Sequence, residues 1–522
     1  MKRLSPILAA LMLFAPAASG QELLSRFESS VTEFTLDNGL HFIVVERPEA
    51  PVVSFYTYAD VGGVDEVKGI TGIAHMFEHM AFKGTSDIGT SDAEAEAAAM
   101  SRVDDVYGQL RAEQHKRNQA DASVVSELSE AFEAAKKEAQ EFARGEFDEA
   151  ITRNGGVGLN ASTSSDATMY YYSLPANKVE LWFSLESARF FDPVLREFYV
   201  ERDVVMEERR MRTESSPVGR LLEEWLATAF KSHPYGEPVV GHMSDLQSFT
   251  REEAKTFFQK YYGPGNLTIA IVGAVNVDQL KGLAETYFGR LPKGPLPDPV
   301  ETMEPAQGAE RRVVITEESQ PFVLVGYHKP SFLHDDDAAY SVLSDIMGRG
   351  RTSRIYRQLV DTEQLALQAA SINNFPGNKY PNLFALFAVP NQGKTVEENE
   401  AAIYAIIEDV KTSGVTEEEL DRAKVNARAD LVRQLQANMG VAGQLAFYHA
   451  VTGDWRNLFS RLDQIDAVTN ADIIRIATET FVPGNRTVAM IRTDTPETAD
   501  AGSSSNNPSS QGETSARAGS GR

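Results

Sequence analysis

Thr71-Gly72-Ile73-Ala74-His75-Met76-Phe77-Glu78-His79-Met80 is the stretch on which the reading of this chain turns. It contains no Pro, and its only Gly lies near the start, so the pattern predicts a helix entered through Gly72. At helical pitch His75 and His79 lie one above the other on the same face, with Glu78 beside them. Two imidazoles at i and i+4 can hold one Zn²⁺, and the neighbouring carboxylate can take a proton from a water that the ion activates. The order His-x-x-Glu-His is the inverse of the His-Glu-x-x-His arrangement found in many zinc hydrolases.

Working outward, Asp37-Asn38-Gly39 sits between two apolar runs and predicts a hairpin, and Val52 to Ala59 is a β-rich run just before the His75 helix. From about residue 91 to 153 the chain is helical and charged, a long helical hairpin insert. Its composition favours a solvated spacer or coiled-coil arm. Gly155-Gly156-Val157-Gly158-Leu159-Asn160-Ala161 then leads into a strand at Thr168 to Leu174, glycines that suit an exposed edge able to pair with another chain. Helices are expected at Asn177–Phe191, Glu197–Thr213 and Leu221–Phe230, and a buried strand at Leu267–Gly273. Residues 291–311 are rich in Pro and Gly and read as a linker, and strands resume at Arg312. The tail, 494–522, is dominated by Ser, Gly, Asn and Thr and is expected to be disordered.

The chain has 522 residues, too many for one ordinary core. Lys2 and Arg3 precede an apolar run to Ala18, and small residues precede Gln21. Residues 1–20 therefore read as a signal peptide, which predicts export, to the periplasm or beyond the cell. Without Lys2 and Arg3 the formal charge moves from −25 to −27. That acidity argues against nucleic acid as a partner, and no later segment is apolar enough to predict a membrane span. There is no Cys, which excludes disulfide staples, thiolate zinc sites and Cys nucleophiles.

Two segments repeat. Thr250–Val272 and Thr469–Ile491 align without a gap, Pro264-Gly265-Asn266 answering Pro483-Gly484-Asn485. The expected architecture is α+β: two homologous α/β-roll domains, 21–290 and 312–493, each an antiparallel sheet with helices packed on one face. Tyr340 to Tyr356 stands where the first half has its His75 helix, and it lacks the His-x-x-Glu-His pattern, so one metal ion per chain is expected. A hydrolytic zinc site usually needs a third protein ligand. Glu201 and Glu208 are two helical turns apart, so Glu208 could ligate while Glu201 orients a ligating His. The same spacing also suits an ordinary acidic surface.

Together, His75-x-x-Glu78-His79, Asn160-Ala161, the run Glu201 to Glu208 and His233-Pro234-Tyr235-Gly236 resemble the pitrilysin/insulinase family of zinc peptidases. The pattern is nearest to its exported bacterial branch and to the mitochondrial processing peptidase subunits. The resemblance implies two domains closing as a clamshell around a peptide or unfolded polypeptide. It implies His75, His79 and Glu208 as zinc ligands, Glu78 as general base, Glu201 as the partner behind a ligand, and Asn160 and Ala161 on the strand that substrate joins. It also implies an Arg and a Tyr in the second half, seven apart, at positions occupied here by Val360 and Leu367. Tyr356 and Arg354 nearby read as packing and surface residues, and His233, His242 and His328 as structural. The functional expectation is a zinc metalloendopeptidase. Its alternatives are a metal-bearing subunit that needs an Arg/Tyr-bearing homologue, a homodimer, or a non-catalytic peptide-binding scaffold.

Overall fold

The computed structural model describes residues 19–493; the expected leader (residues 1–18 of it) and tail lie outside that range. The first described helix, Gly20–Glu28, begins one residue before the expected cut at Gln21.

Eleven strands form two sheets among the described residues. In the first half these are β1 (Val31–Thr35), β2 (His41–Glu46), β3 (Val52–Ala59), β4 (Val157–Thr163), β5 (Thr168–Pro175) and β6 (Leu267–Gly273). In the second they are β7 (Arg311–Thr316), β8 (Phe322–Lys329), β9 (Ala366–Phe375), β10 (Asn382–Pro390) and β11 (Arg486–Arg492). The spatial orders are β1-β2-β6-β3-β5-β4 and β7-β11-β8-β10-β9. Apart from the extra β1, the two orders superpose strand for strand. Each sheet also has one parallel pair at the equivalent place, β2 with β6 and β7 with β11.

The repeat has a physical basis. In both copies a Thr caps a helix through a reciprocal box, Thr250 with Glu253 and Thr469 with Asp472. In both, the Asn of Pro-Gly-Asn ties the helix end to the sheet. Asn266 Nδ2 donates to the carbonyls of Tyr261 (2.8 Å) and Asp60 (3.1 Å), and Asn485 Nδ2 to those of Thr480 (2.9 Å) and His328 (2.8 Å).

Each sheet carries its own half's helices on one face, as expected. Its other face is covered by a helix from the opposite half. The crossing helix Pro217–Ala229 lays Leu221, Trp225 and Ala229 on Leu324, Leu383, Ala489 and Ile491 of the second sheet. Trp225 is fully buried, its Nε1 donates to the Thr487 carbonyl (3.0 Å), and Gly326 is required beneath it because a Cβ there would lie 2.2 Å from the indole. In return Asn438–Thr452 sets Val441, Ala442, Leu445 and Ala446 against Ile43, Val45, Tyr58, Ala270 and Val272 of the first sheet. The alternation along buried strands such as β6 requires this, because both of its faces are apolar and both need cover.

Two expectations are corrected. The insert is neither a solvated spacer nor a free arm. Its helices Ala93–Gln114 and Ala122–Gln140 fold onto the first core through Val103, Tyr107, Leu110 and Phe132. The helix expected at Tyr340 to Tyr356 runs Asp337–Gly348, and a separate π-helical turn, Tyr356–Thr362, follows.

Replacing Trp225 by Ala should lower the unfolding free energy by about 3–5 kcal/mol, the range for emptying a buried aromatic site. Chemical denaturation checks this; an unchanged midpoint would contradict the exchanged packing.

Candidate active site

The motif helix, Ile73–Met80, turns Ile73, Ala74, Met76, Phe77 and Met80 into the first core, which leaves His75, Glu78 and His79 on its other face. It starts at Gly72 with φ +90°, where a Cβ would come 2.6 Å from the Val240 carbonyl oxygen, so only Gly fits. Its first amides are capped from outside the helix. The Glu66 carboxylate accepts from the N–H groups of Gly72 and Ala74, both at 2.7 Å, and Asp245 accepts from those of Gly69 (2.9 Å) and Thr71 (3.2 Å). Burial pushes the Glu66 carboxyl up to about 8, against the pull of those two N–H donors.

Opposite lies the carboxylate helix, Phe198–Arg209. It presents Glu201 and Glu208 to the histidines. His79 Nε2 lies 3.2 Å from Glu208 Oε2, and His75 Nε2 lies 3.7 Å from Glu208 Oε1. The ligand atoms of all three residues fall within 4.8 Å of one another. A tetrahedral zinc with bonds of about 2.0–2.1 Å separates its ligand atoms by roughly 3.4 Å, so this donor set fits the ion with little adjustment. His79 Nδ1 faces Glu201 Oε2 at 3.5 Å, the position from which a carboxylate fixes a ligating ring. His75 Nδ1 is buried without a protein partner. Glu78 Oε2 stands 3.9 Å from His75 Nε2, at the rim of the cluster.

The electrostatics follow from this packing. Burial lowers the His75 imidazole below its ordinary range, only partly offset by Glu208. Burial also pulls on His79, but the Glu201 and Glu208 carboxylates outweigh it and the net shift is upward. Glu201 is held below its ordinary value, burial being overcome by His79 and Lys83.

Sequence reasoning missed the residues that hold this geometry. Lys83 Nζ bridges Glu201 Oε1 (2.6 Å) and Glu197 Oε2 (2.9 Å). It follows His79 by four residues, a helical spacing that could have drawn attention to it. Arg196, almost wholly buried, pairs with Glu96 of the insert through Nε (2.5 Å) and Nη2 (2.8 Å). Its guanidinium also donates to the carbonyls of Lys83, Thr85 and Ile88, in the loop leaving the motif helix. Leu195 and Glu197 on either side adopt positive φ, +55° and +58°, a strained conformation for non-glycine residues that this anchoring sustains. The insert adds Lys136 Nζ on Asp203 (2.8 Å), and Tyr107 beneath the Arg202 guanidinium (4.7 Å). At the far end Arg209 binds Glu223 bidentately, both contacts at 2.9 Å.

Asn160 and Ala161 lie on β4, the edge strand of the first sheet, opposite Tyr171 and Tyr170. Asn160 is exposed and donates to Tyr171 Oη (3.1 Å), whereas Ala161 is buried. The motif helix packs beside β4 and β5. In the second half Val360 is partly buried on the π-helical turn, and Leu367 is 57% exposed near the start of β9. Arg354 is engaged by Glu419 (2.7 Å) and Asp409 (3.0 Å). His233 accepts from the Tyr235 N–H (3.2 Å), His242 Nε2 pairs with Glu237 (2.7 Å), and His328 Nε2 meets the Ala229 carbonyl (3.0 Å).

Comparison with known proteins gives the family. Residues 41–105 and 131–242 match the model of the insulinase family (peptidase family M16), and residues 248–426 match that of the M16 inactive domain. The break in the first match, residues 106–130, spans the tip of the helical hairpin. Zinc protease PqqE of Helicobacter pylori is 30% identical over 500 residues, 94% of this chain and 98% of the relative. An uncharacterised zinc protease of Mycobacterium leprae is 25% identical, covering 86% of this chain and 89% of that one. The crystal structure of a protease from Helicobacter pylori superposes with TM-score 0.74 at 30% identity, over 88% of this chain and 99% of that one. An M16 inactive-domain structure from Pseudomonas fluorescens shares the fold alone, at TM-score 0.71 and 16% identity over 89% of this chain and 98% of that one. This chain belongs to the insulinase (M16) family of peptidases. Its relatives bear the name zinc protease, and among the described residues no helix is long and apolar enough to cross a membrane.

Substituting Glu96 by Ala strips Arg196 of its buried partner. It should destabilise the chain by about 3–5 kcal/mol, the usual result of leaving one buried charge unpaired. Thermal unfolding with and without added zinc reads the effect; wild-type behaviour would show that the insert does not brace the carboxylate helix.

Proposed function

We propose that the chain is a zinc-dependent endopeptidase that hydrolyses peptides or unfolded polypeptides, with His75, His79 and Glu208 as the ligands of one Zn²⁺. The observation that carries this reading is the convergence of those three donors within 4.8 Å, with a fourth group, Glu78, free at the rim. When bound, the ion would supply Lewis acidity toward a scissile carbonyl and an attacking water. The chain's own residues do the rest. Glu78 accepts the proton of the attacking water and returns it to the leaving amine. Glu201 keeps the His79 ring in place through Nδ1, and Lys83 keeps Glu201 in place. The outer edge of β4, with Asn160 and Ala161, offers unpaired backbone groups to which an extended substrate adds as a further strand. The leader read at residues 1–20 would place this activity outside the cytoplasm, in the periplasm or beyond.

A second reading rests on the apolar pair in the other half. If an Arg and a Tyr must contact substrate near the scissile bond, Val360 and Leu367 cannot serve, and the chain would act as the metal-bearing subunit of a heterodimer. A scaffold that holds peptides without cutting them is the third possibility, and the intact donor set with Glu78 speaks against it.

Zinc content and cleavage of an unfolded protein by the purified chain separate the three. The proposal expects about one zinc in this site and cleavage by the chain alone. Zinc without cleavage until a homologous partner is added selects the heterodimer; no cleavage under either condition leaves the scaffold. Glu78→Gln should keep zinc while losing on the order of 10²–10⁴-fold in turnover, the scale of a positioned general base. Undiminished turnover would remove Glu78 from the mechanism.

A further inference from the structure

A second group of potential ligands stands on the opposite face of the first sheet. Glu33 comes from β1, His41 from β2 and His449 from the helix Asn438–Thr452 that the second half lends to this sheet. Their ligand atoms also lie within 4.8 Å of one another. We propose that Glu33, His41 and His449 form a second site for a divalent transition ion, which clips the lent helix to the edge of the first sheet.

Three observations carry this. The first is that two ring nitrogens, His41 Nε2 and His449 Nδ1, are buried with no hydrogen-bond partner. A buried polar atom left unpaired is costly, and here two such atoms belong to the residue type that most often binds metal. The second is orientation. Thr35 Oγ1 lies 2.9 Å from His41 Nδ1, so the hydroxyl can accept from that nitrogen and leave the Nε2 lone pair toward Glu33 Oε2, 3.5 Å away. Arg456 Nη1 holds the other oxygen, Glu33 Oε1, at 3.0 Å. Both first ligands are therefore positioned by groups behind them, the arrangement expected around a metal.

The third is charge. Arg456 is the cation here, and Glu28, Glu33 and Asp454 all contact it, which leaves a net charge of −2 with both histidines neutral. Such a pocket favours a dication. Two imidazoles and one carboxylate select zinc, cobalt, nickel or copper over magnesium and calcium.

The rings stack in parallel with centroids 3.8 Å apart, so their lone pairs run side by side. An ion would need one ring to turn about Cβ–Cγ, a broad and soft torsion for His. The site bridges the two halves, and the chain has no Cys with which to cross-link them. A metal clip would serve as that cross-link.

The test uses the full chain, stripped with a chelator and titrated calorimetrically with Zn²⁺, with Co²⁺ absorption as a second probe. The wild type should bind two equivalents at micromolar ion, His79→Ala one and His449→Gln one. His79→Ala combined with His449→Gln should bind none. Far-UV circular dichroism checks that each variant folds, and His41→Asn gives an independent route to the same loss. If the wild type binds one equivalent and His449→Gln still binds one, the second site is refuted. It is equally refuted if the second equivalent survives both His41→Asn and His449→Gln, or enters only at millimolar ion. Loss of the first site alone would show in His79→Ala retaining the wild-type stoichiometry, which separates failure of the catalytic reading from failure of this one.

Discussion

The candidate active site depends on the relative placement of two helices that share no covalent neighbour, and one buried ion pair fixes it. Arg196 stands immediately before the carboxylate helix. Its guanidinium reaches Glu96 in the insert and three carbonyls in the loop that leaves the motif helix. A guanidinium offers five donors in a rigid fork, so this one residue can dock three segments at once. With its start held there and its end held by Arg209 on Glu223, the carboxylate helix has little freedom to slide. A shift of one residue would rotate Glu208 away from His75 and His79. The positive φ of Leu195 and Glu197 is strain tolerated in the interest of that placement.

The same logic explains the two-half architecture. A central strand that is apolar on both faces needs a layer on each side, and here each half covers only one face of its own sheet. Exchanging Pro217–Ala229 for Asn438–Thr452 closes both sheets and makes the halves mutually dependent. In a chain without Cys, this exchange takes over what disulfides do in many small exported domains. Symmetry of fold coexists with asymmetry of chemistry. The helix Asp337–Gly348 follows β8 as the motif helix follows β3, yet it carries no His and no Glu.

Much of this was legible in the sequence because it is local. Hairpin, motif helix, edge strand and duplicated Pro-Gly-Asn turn are each written in a few adjacent residues, and the structure has them where expected. Glu201 and Glu208 could be paired by helical spacing, but spacing does not say what an acidic face looks at. The exchanged helices were not legible, since an amphipathic helix records that it is buried and not what buries it. The insert was misjudged because Ala and charged residues, Glu above all, dominate its composition. Its apolar stripe at Val103, Tyr107 and Leu110 has helical spacing and lies against the core. Lys83 and Arg196 were passed over for a different reason. Their hydrogen-bond partners lie 100 or more residues away, and the four-residue step from His79 to Lys83 is the one local hint.

The central claim is that His75, His79 and Glu208 bind one ion between the motif helix and the carboxylate helix. Anomalous diffraction at the zinc edge, from crystals of the zinc-loaded chain, tests it most directly. The account predicts a strong peak within bonding distance of His75 Nε2, His79 Nε2 and a Glu208 carboxylate oxygen. A zinc-replete crystal with no anomalous density among those three side chains would contradict it.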